Sequence, residues 1–332
     1  MKFNEILTNL RKKVYQPVYF LMGDETYFID EICDYIANHV LDESEKEFNQ
    51  TILYGKETDV ATIISEAKRF PLMGEHRVVI VKEAQHISKI EDLEVYLKQP
   101  QPSTILVICY KNKTLDKRKK ITKELAKKAV LFESKKLYDN QIPDWIHNHL
   151  RKNNYSIHPK AAFLLSEYLG ADLGKITNEL DKLMLIVEKG QEITSDIIER
   201  NIGISKDFNN FELNKALAKK DILKSNLIIK YFAANPKDNP LFVTISVLFG
   251  FFQKTLLYHT LKEKSKNNIA STLKVNPFFV RDYELAARNY SKAKIVKIIS
   301  FLRQYDMKSK GVNNNSVSEG DLMKELIYKI LH

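Results

Sequence analysis

A glycine that ends an apolar strand and opens a helix can cradle phosphates, and the first such place in this chain is Val18-Tyr19-Phe20-Leu21-Met22-Gly23. A phosphate loop needs a second glycine five residues on, then Lys and Ser/Thr, so that backbone N–H groups and an ammonium surround the phosphates. Here those three positions hold Phe28, Ile29 and Asp30. The lysine is missing, and an acid stands where the magnesium-binding hydroxyl belongs. A helix N-terminus attracts anions, but Asp24 and Glu25 oppose a triphosphate, so no productive nucleotide binding is expected. The companion motif ends a strand with Asp-Glu to hold magnesium and polarise water. Val78-Val79-Ile80-Val81 instead ends in Lys82-Glu83, and a lone glutamate reads as a solvated loop residue.

Other catalytic constellations are missing too. There is no HExxH, GxSxG or paired-histidine spacing among the eight histidines. His147 and His149 are two apart on a helical stretch and point to different faces, so they do not share a metal. His158, before Pro159, reads as a turn residue. The two cysteines, Cys33 and Cys109, lie in apolar surroundings. They are too few for a disulfide framework or a four-cysteine zinc site and suit a reducing interior. Cys109 reads as a buried core thiol, and Trp145, beside Pro143 and Ile146, as a packing residue. With no catalytic set, metal site or cofactor motif, a binding or mechanical role is favoured over an enzyme.

Two stretches carry binding chemistry. In Phe70-Pro71-Leu72-Met73-Gly74, two large apolar residues sit between a proline and a glycine. Pro71 and Gly74 are breakers, which puts Leu72 and Met73 at a helix end or on a loop beside the following strand. That pair is either tucked under its own domain or offered to a partner. The second stretch, residues 111–136, holds 11 Lys+Arg against 3 Asp+Glu. It is either a solvated helix face or a surface for phosphates, with Lys111, Lys113, Lys117, Arg118 and Lys119 facing DNA; such contacts are salt-dependent and blind to sequence.

The elements that position these stretches fall into two patterns. Residues 1–140 alternate strand and helix. Strands are expected at Val18–Met22, Thr51–Tyr54, Val78–Val81, Thr104–Cys109 and Val130–Phe132. Helices are expected over about Tyr27–Val40, Val60–Lys68, Ile87–Leu97 and Asp116–Lys128, with Asp59 capping the second. The unbroken run Val78–Val81 suits a strand covered on both faces. Such alternation makes a parallel sheet flanked by helices. From Ile142 onward the pattern is helical. A compact unit runs to about residue 208, and a larger one follows with helices near Glu212–Ala218, Ile222–Asn235, Pro240–Lys264, Pro277–Asn289, Lys292–Lys308 and Glu319–Leu331.

The whole chain, 332 residues with 44% hydrophobic and 28% charged content, has the balance of a soluble globular protein. The early residues carry Glu5 and no apolar core, unlike a signal peptide. The apolar run Leu241–Phe252 is short for a bilayer and reads as a core helix. A cytoplasmic setting and no membrane partner are expected. The net charge is +10; residues 209–332 carry +11 and the first 208 carry −1. A basic surplus suits a polyanion or solvated lysine-rich helix faces equally.

Five pieces, in order, resemble one family over essentially the whole chain. They are Phe20-Leu21-Met22-Gly23-Asp24-Glu25-Thr26-Tyr27-Phe28, Phe70 to Val79, Leu115-Asp116-Lys117-Arg118-Lys119-Lys120, Glu179-Leu180-Asp181-Lys182-Leu183 and Asp306-Met307-Lys308-Ser309-Lys310-Gly311. The pattern resembles the delta subunit of the bacterial DNA polymerase III clamp loader. That resemblance implies an α/β plus all-α fold with three domains. Residues 1–140 would be a degenerate AAA+ module that does not hydrolyse ATP, 141–208 a helical lid and 209–332 a helical collar for oligomerisation. It implies no cofactor, and catalysis only at the level of the DNA-directed DNA polymerase complex. The implied partners are the ring-shaped sliding clamp (beta), the gamma/tau motor and delta-prime subunits, and primer-template DNA. The implied clamp grip is Phe70, Pro71, Leu72 and Met73. The family often has Leu-Phe at the central pair, and Met73 is a flexible apolar filler that can still occupy a hydrophobic pocket. An arginine-finger Ser-Arg-Cys is missing around both cysteines. The rival readings are a working AAA+-type ATPase and a stand-alone basic DNA-binding protein.

Overall fold

The computed structural model describes residues 1–72, 74–205, 207–314 and 316–332. The chain divides into two compact units, Met1–Leu137 and Tyr138–His332.

The first unit is built on a five-stranded parallel sheet. Its strands are β1 (Val18–Gly23), β2 (Gln50–Tyr54), β3 (Arg77–Lys82), β4 (Thr104–Lys111) and β5 (Val130–Ser134), in the order β2-β3-β4-β1-β5. Val78 to Val81 are fully buried, as an unbroken β-branched run requires when helices cover both faces. On one face α1 (Phe3–Arg11) and α2 (Thr26–His39) pack Ile6, Leu10, Ile29, Ile32 and Ile36 against Leu21, Val78 and Ile80. On the other, α4 (Val60–Ala67), α5 (Glu94–Lys98) and α6 (Lys120–Lys128) pack Ile63, Leu97, Ile121 and Leu125 against Val79, Val81 and Leu106. A further helix, α3 (Glu43–Asn49), leads directly into the edge strand β2.

Several local details differ from the sequence pattern. The helix expected over Asp116–Lys128 begins only at Lys120, because Asp116 folds back on Arg118: its carboxylate accepts from the Arg118 backbone and guanidinium, while its carbonyl accepts from Thr122. The helix expected over Ile87–Leu97 is broken into 3₁₀ turns at Ala84–His86 and Ile90–Leu93 before α5, with Glu83 and Lys89 in the left-handed region. α3 leaves no mark in the pattern because its sequence, Glu-Ser-Glu-Lys-Glu-Phe-Asn, offers no apolar stripe. A reciprocal cap starts it instead, with Asp42 N–H donating to Glu45. The helix expected over Pro240–Lys264 runs over Leu241–Tyr258 and ends there, capped by His259. At 18 residues that helix is long and apolar enough to cross a membrane by length and composition.

The second unit is helical: α7 (Ile142–Lys152), α8 (Pro159–Leu169), α9 (Leu173–Ile186), α10 (Ser195–Ile202), α11 (Asn210–Ala218), α12 (Ile222–Ala234), α13 (Leu241–Tyr258), α14 (Lys266–Leu273), α15 (Val280–Asn289), α16 (Lys292–Ser309) and α17 (Glu319–Leu331). Two short strands, β6 (Ser156–Ile157) and β7 (Glu192–Ile193), pair in parallel. α13 is the centre of the larger core. Leu241, Ile245, Leu248, Phe251 and Phe252 are buried there with Ile298, Leu302, Tyr305, Leu326 and Ile330.

Candidate functional site

The place where a phosphate loop would lie is filled by the chain's own groups. Gly23 has φ +127, and a Cβ there would sit 1.9 Å from the Ser134 carbonyl oxygen, so only glycine lets β1 turn so close to β5. Asp24 N–H donates to that same carbonyl, and the Ser134 hydroxyl donates to the Glu25 carbonyl. The Glu25 carboxylate caps α2 by accepting from Tyr27 N–H at 3.2 Å, and Glu25 is buried. The free N–H groups that would hold a phosphate therefore face an anion already in place. Asp30 is held by the Lys111 ammonium at 2.5 Å.

The loop between α4 and β3 is the opposite case, fixed at its base and open at its tip. Phe70 is 76% exposed and Leu72 is 62% exposed, with Pro71 half-buried. Met73, expected beside Leu72, lies outside the described residues. The backbone beneath Leu72 is tied down. The fully buried Asn49 donates its side-chain N–H to the Leu72 carbonyl and accepts from the Leu72 N–H, both at 2.7 Å. One side-chain amide thus does for Leu72 what a neighbouring strand would do. Gly74 completes the fit, because a Cβ there would lie 2.5 Å from Glu45 Oε1 of α3.

Arg77, at the start of β3, anchors the base. It is buried and donates to the Glu66 carbonyl and carboxylate, the Phe48 carbonyl and the Thr51 hydroxyl. Its ion pair with Glu66 is 2.6 Å long. One guanidinium therefore joins α4, the end of α3 and β2. Planar, five-donor geometry makes this possible, and lysine would not replace it. The Tyr96 hydroxyl holds the end of α4 from the other side by donating to the Ala67 carbonyl. A tip held this way presents its side chains without the ordering cost that a loose loop carries on binding.

Asn49→Ala should cost about 1–3 kcal/mol of stability, because both Leu72 backbone groups lose a buried partner; urea unfolding of the purified chain measures it.

The sequence pointed to the tip residues but not to their supports. Asn49 closes an apolar-poor helix, and nothing local marks it. Arg77 left a trace, as a cation directly before a fully apolar strand.

The basic stretch is more compensated than its composition suggests. Lys111 pairs with Asp30, Lys117 with Glu133 at 2.8 Å, Arg118 with Asp116 at 2.7 Å and Lys119 with Glu91. Lys113 donates to the Gln85 carbonyl. Among the four cations paired with carboxylates, Arg118 and Lys117 are the most exposed. Cys33 and Cys109 are buried and unbridged. A hydrogen bond shared with Cys33, together with burial, pushes the Cys109 thiol well up, as suits an inert core thiol. Among the described residues no cluster of histidine, cysteine or carboxylate could hold a metal.

Known proteins match this chain along its length. A family model described as DNA polymerase III, delta subunit, matches residues 19–135. The DNA polymerase III subunit delta of Bacillus subtilis (strain 168) is 31% identical over 318 residues, covering 92% of this chain and 91% of that protein. The chain belongs to the DNA polymerase III delta-subunit family. Among solved structures, the Bacillus subtilis DNA clamp loader delta protein (YqeN) shares 27% identity over 99% of both chains, with a TM-score of 0.55. The delta-family match covers the sheet, the exposed tip and most of the basic stretch.

Proposed function

We propose that this delta-family chain grips the ring-shaped sliding clamp with Phe70, Pro71, Leu72 and Met73 and helps hold the ring open while it is loaded onto primed DNA. The observation that carries the reading is the exposed Leu72 side chain on a backbone locked by Asn49. A few apolar anchors on a rigid support are how a small interface obtains most of its energy. The chain acts without catalysis of its own. Residues 1–140 serve as a degenerate AAA+ module, 141–208 as its lid and 209–332 as a collar that joins the gamma/tau and delta-prime subunits in the cytoplasm. The filled phosphate-loop position supports a role that does not consume ATP.

The test is a pull-down of purified sliding clamp by the isolated chain without nucleotide. Saturable binding is expected; no binding at micromolar concentrations would overturn the reading. Steady ATP turnover by the isolated chain would favour a working ATPase instead.

Primer-template DNA is a second proposed partner, through Lys111, Lys113, Lys117, Arg118 and Lys119. Because four of the five are paired with carboxylates, the isolated chain should bind DNA weakly. In the assembled loader, Lys117→Ala/Arg118→Ala should reduce the slope of log affinity against log salt by about 1–2, roughly one for each phosphate no longer neutralised. An unchanged slope would remove these residues from the DNA surface.

A further inference from the structure

We infer that α3 forms the second half of the clamp-gripping surface, with Phe48 as an apolar anchor beside Leu72. This rests on the reading that residues 70–73 grip the clamp.

Phe48 is the penultimate residue of α3 and is 57% exposed. A large aromatic side chain left in water at that level has a cost that burial against a partner would recover. Its position relative to the tip is fixed from several sides. Its own carbonyl accepts from Arg77, just beyond the loop. Its neighbour Asn49 holds both backbone groups of Leu72. One turn earlier, Glu45 lies against Gly74. The helix end and the loop tip are therefore one rigid platform that carries Phe48, Phe70 and Leu72, all exposed.

The linear motif at 70–74 accounts for only part of this platform, since Phe48 enters it from 22 or more residues earlier in the chain. The occupant is the same partner that takes Leu72. A partner that takes Leu72 meets the end of α3, whose Asn49 holds the Leu72 backbone and whose Phe48 is exposed. Aromatic anchors of this kind are enriched among residues that dominate binding.

The experiment measures affinity for purified sliding clamp by biolayer interferometry for the intact chain, Phe48→Ala, Phe48→Leu and Leu72→Ala, with thermal melts of each. In parallel, Phe48→p-benzoylphenylalanine is photolysed with the clamp. Phe48→Ala should lose roughly tenfold in affinity, the effect of about 1.4 kcal/mol, with an unchanged melting temperature. Phe48→Leu should keep most of the affinity, and the photoprobe should crosslink to the clamp. Wild-type affinity for Phe48→Ala beside a weakened Leu72→Ala would overturn the role of α3 and leave the tip in place. Wild-type affinity for both would remove the tip reading itself. A crosslink without loss of affinity also counts against the anchor, since proximity alone is not grip. Should Phe48→Ala unfold, Phe48→Gln, which keeps bulk but loses the apolar surface, takes its place with the same expected loss of affinity, and wild-type affinity for Phe48→Gln would overturn the anchor.

Discussion

Replacing both tip residues, Leu72→Ala/Met73→Ala, is expected to weaken clamp binding by about two to three and a half orders of magnitude while the melting temperature stays the same. Full burial of one large aliphatic side chain is worth about 1.5–3 kcal/mol. Two such losses correspond to roughly 3–5 kcal/mol once imperfect burial is allowed for, and every 1.4 kcal/mol is about tenfold in affinity. The separation of binding from stability follows from the geometry. Leu72 is 62% exposed, and it is tied to the domain through its backbone, which alanine keeps. Exposed substitutions of this kind change folding by less than about 0.5 kcal/mol. Biolayer interferometry with immobilised clamp and a circular-dichroism melt of the same sample measure the two quantities together. Unchanged affinity would remove the site assignment. A large fall in melting temperature would mean that the tip belongs to the domain's own core.

The sheet was legible because its signal is local. Val78 to Val81 could be placed as a doubly covered strand from four residues, and all four are buried. The same holds for the breakers around Leu72, which point to a helix end or a loop, and Leu72 lies on the loop between α4 and β3. What the sequence could not show is how that loop is held. Asn49 and Leu72 are 23 residues apart, and Arg77 reaches Phe48 across 29. Polar interactions over such separations leave no periodicity, and an asparagine at the end of a charged helix looks like any solvated cap. The compensation within the basic stretch was hidden for a related reason. A count of lysines records charge but not its partners, and Glu91, which compensates Lys119, lies 28 residues away. α3 and α14 were missed because neither has an apolar stripe strong enough to mark a helix; Glu43–Asn49 is largely charged, and α14 is mostly polar.

Glu167→Gln is expected to stabilise the second unit, and to do so only above acidic pH. Glu167 lies on α8 in the wall of a cavity of about 650 Å³ that is also lined by Phe163, Phe211 and Phe279. The residue as a whole is half-buried, but both carboxylate oxygens are buried without a hydrogen-bonded side-chain partner. Burial pushes its pKa from 4.5 up to about 8, and the Phe211 backbone N–H offsets only part of that. The folded state therefore holds its proton more tightly than the unfolded chain. Below pH 4.5 both states are protonated and the group costs nothing through ionisation. Between pH 4.5 and about 8 the unfolded chain releases the proton and the folded chain keeps it, so stability falls as pH rises. Each pH unit in that window is worth about 1.4 kcal/mol, so the cost at pH 7 is about 3 kcal/mol. Glutamine keeps the shape and cannot ionise, and it should recover most of that amount at pH 7 and almost none at pH 4.5. Lys254 and Asp282 line the same cavity, and burial drives each toward its neutral form. They titrate in both proteins, so the difference between Glu167→Gln and the parent chain isolates the one carboxyl. Urea unfolding of both at pH 4.5, 6 and 8 gives the profile. A gain that is the same at every pH would show that Glu167 ionises as easily in the folded chain as in the unfolded one, and a loss at pH 8 would show that its charge is partnered and used.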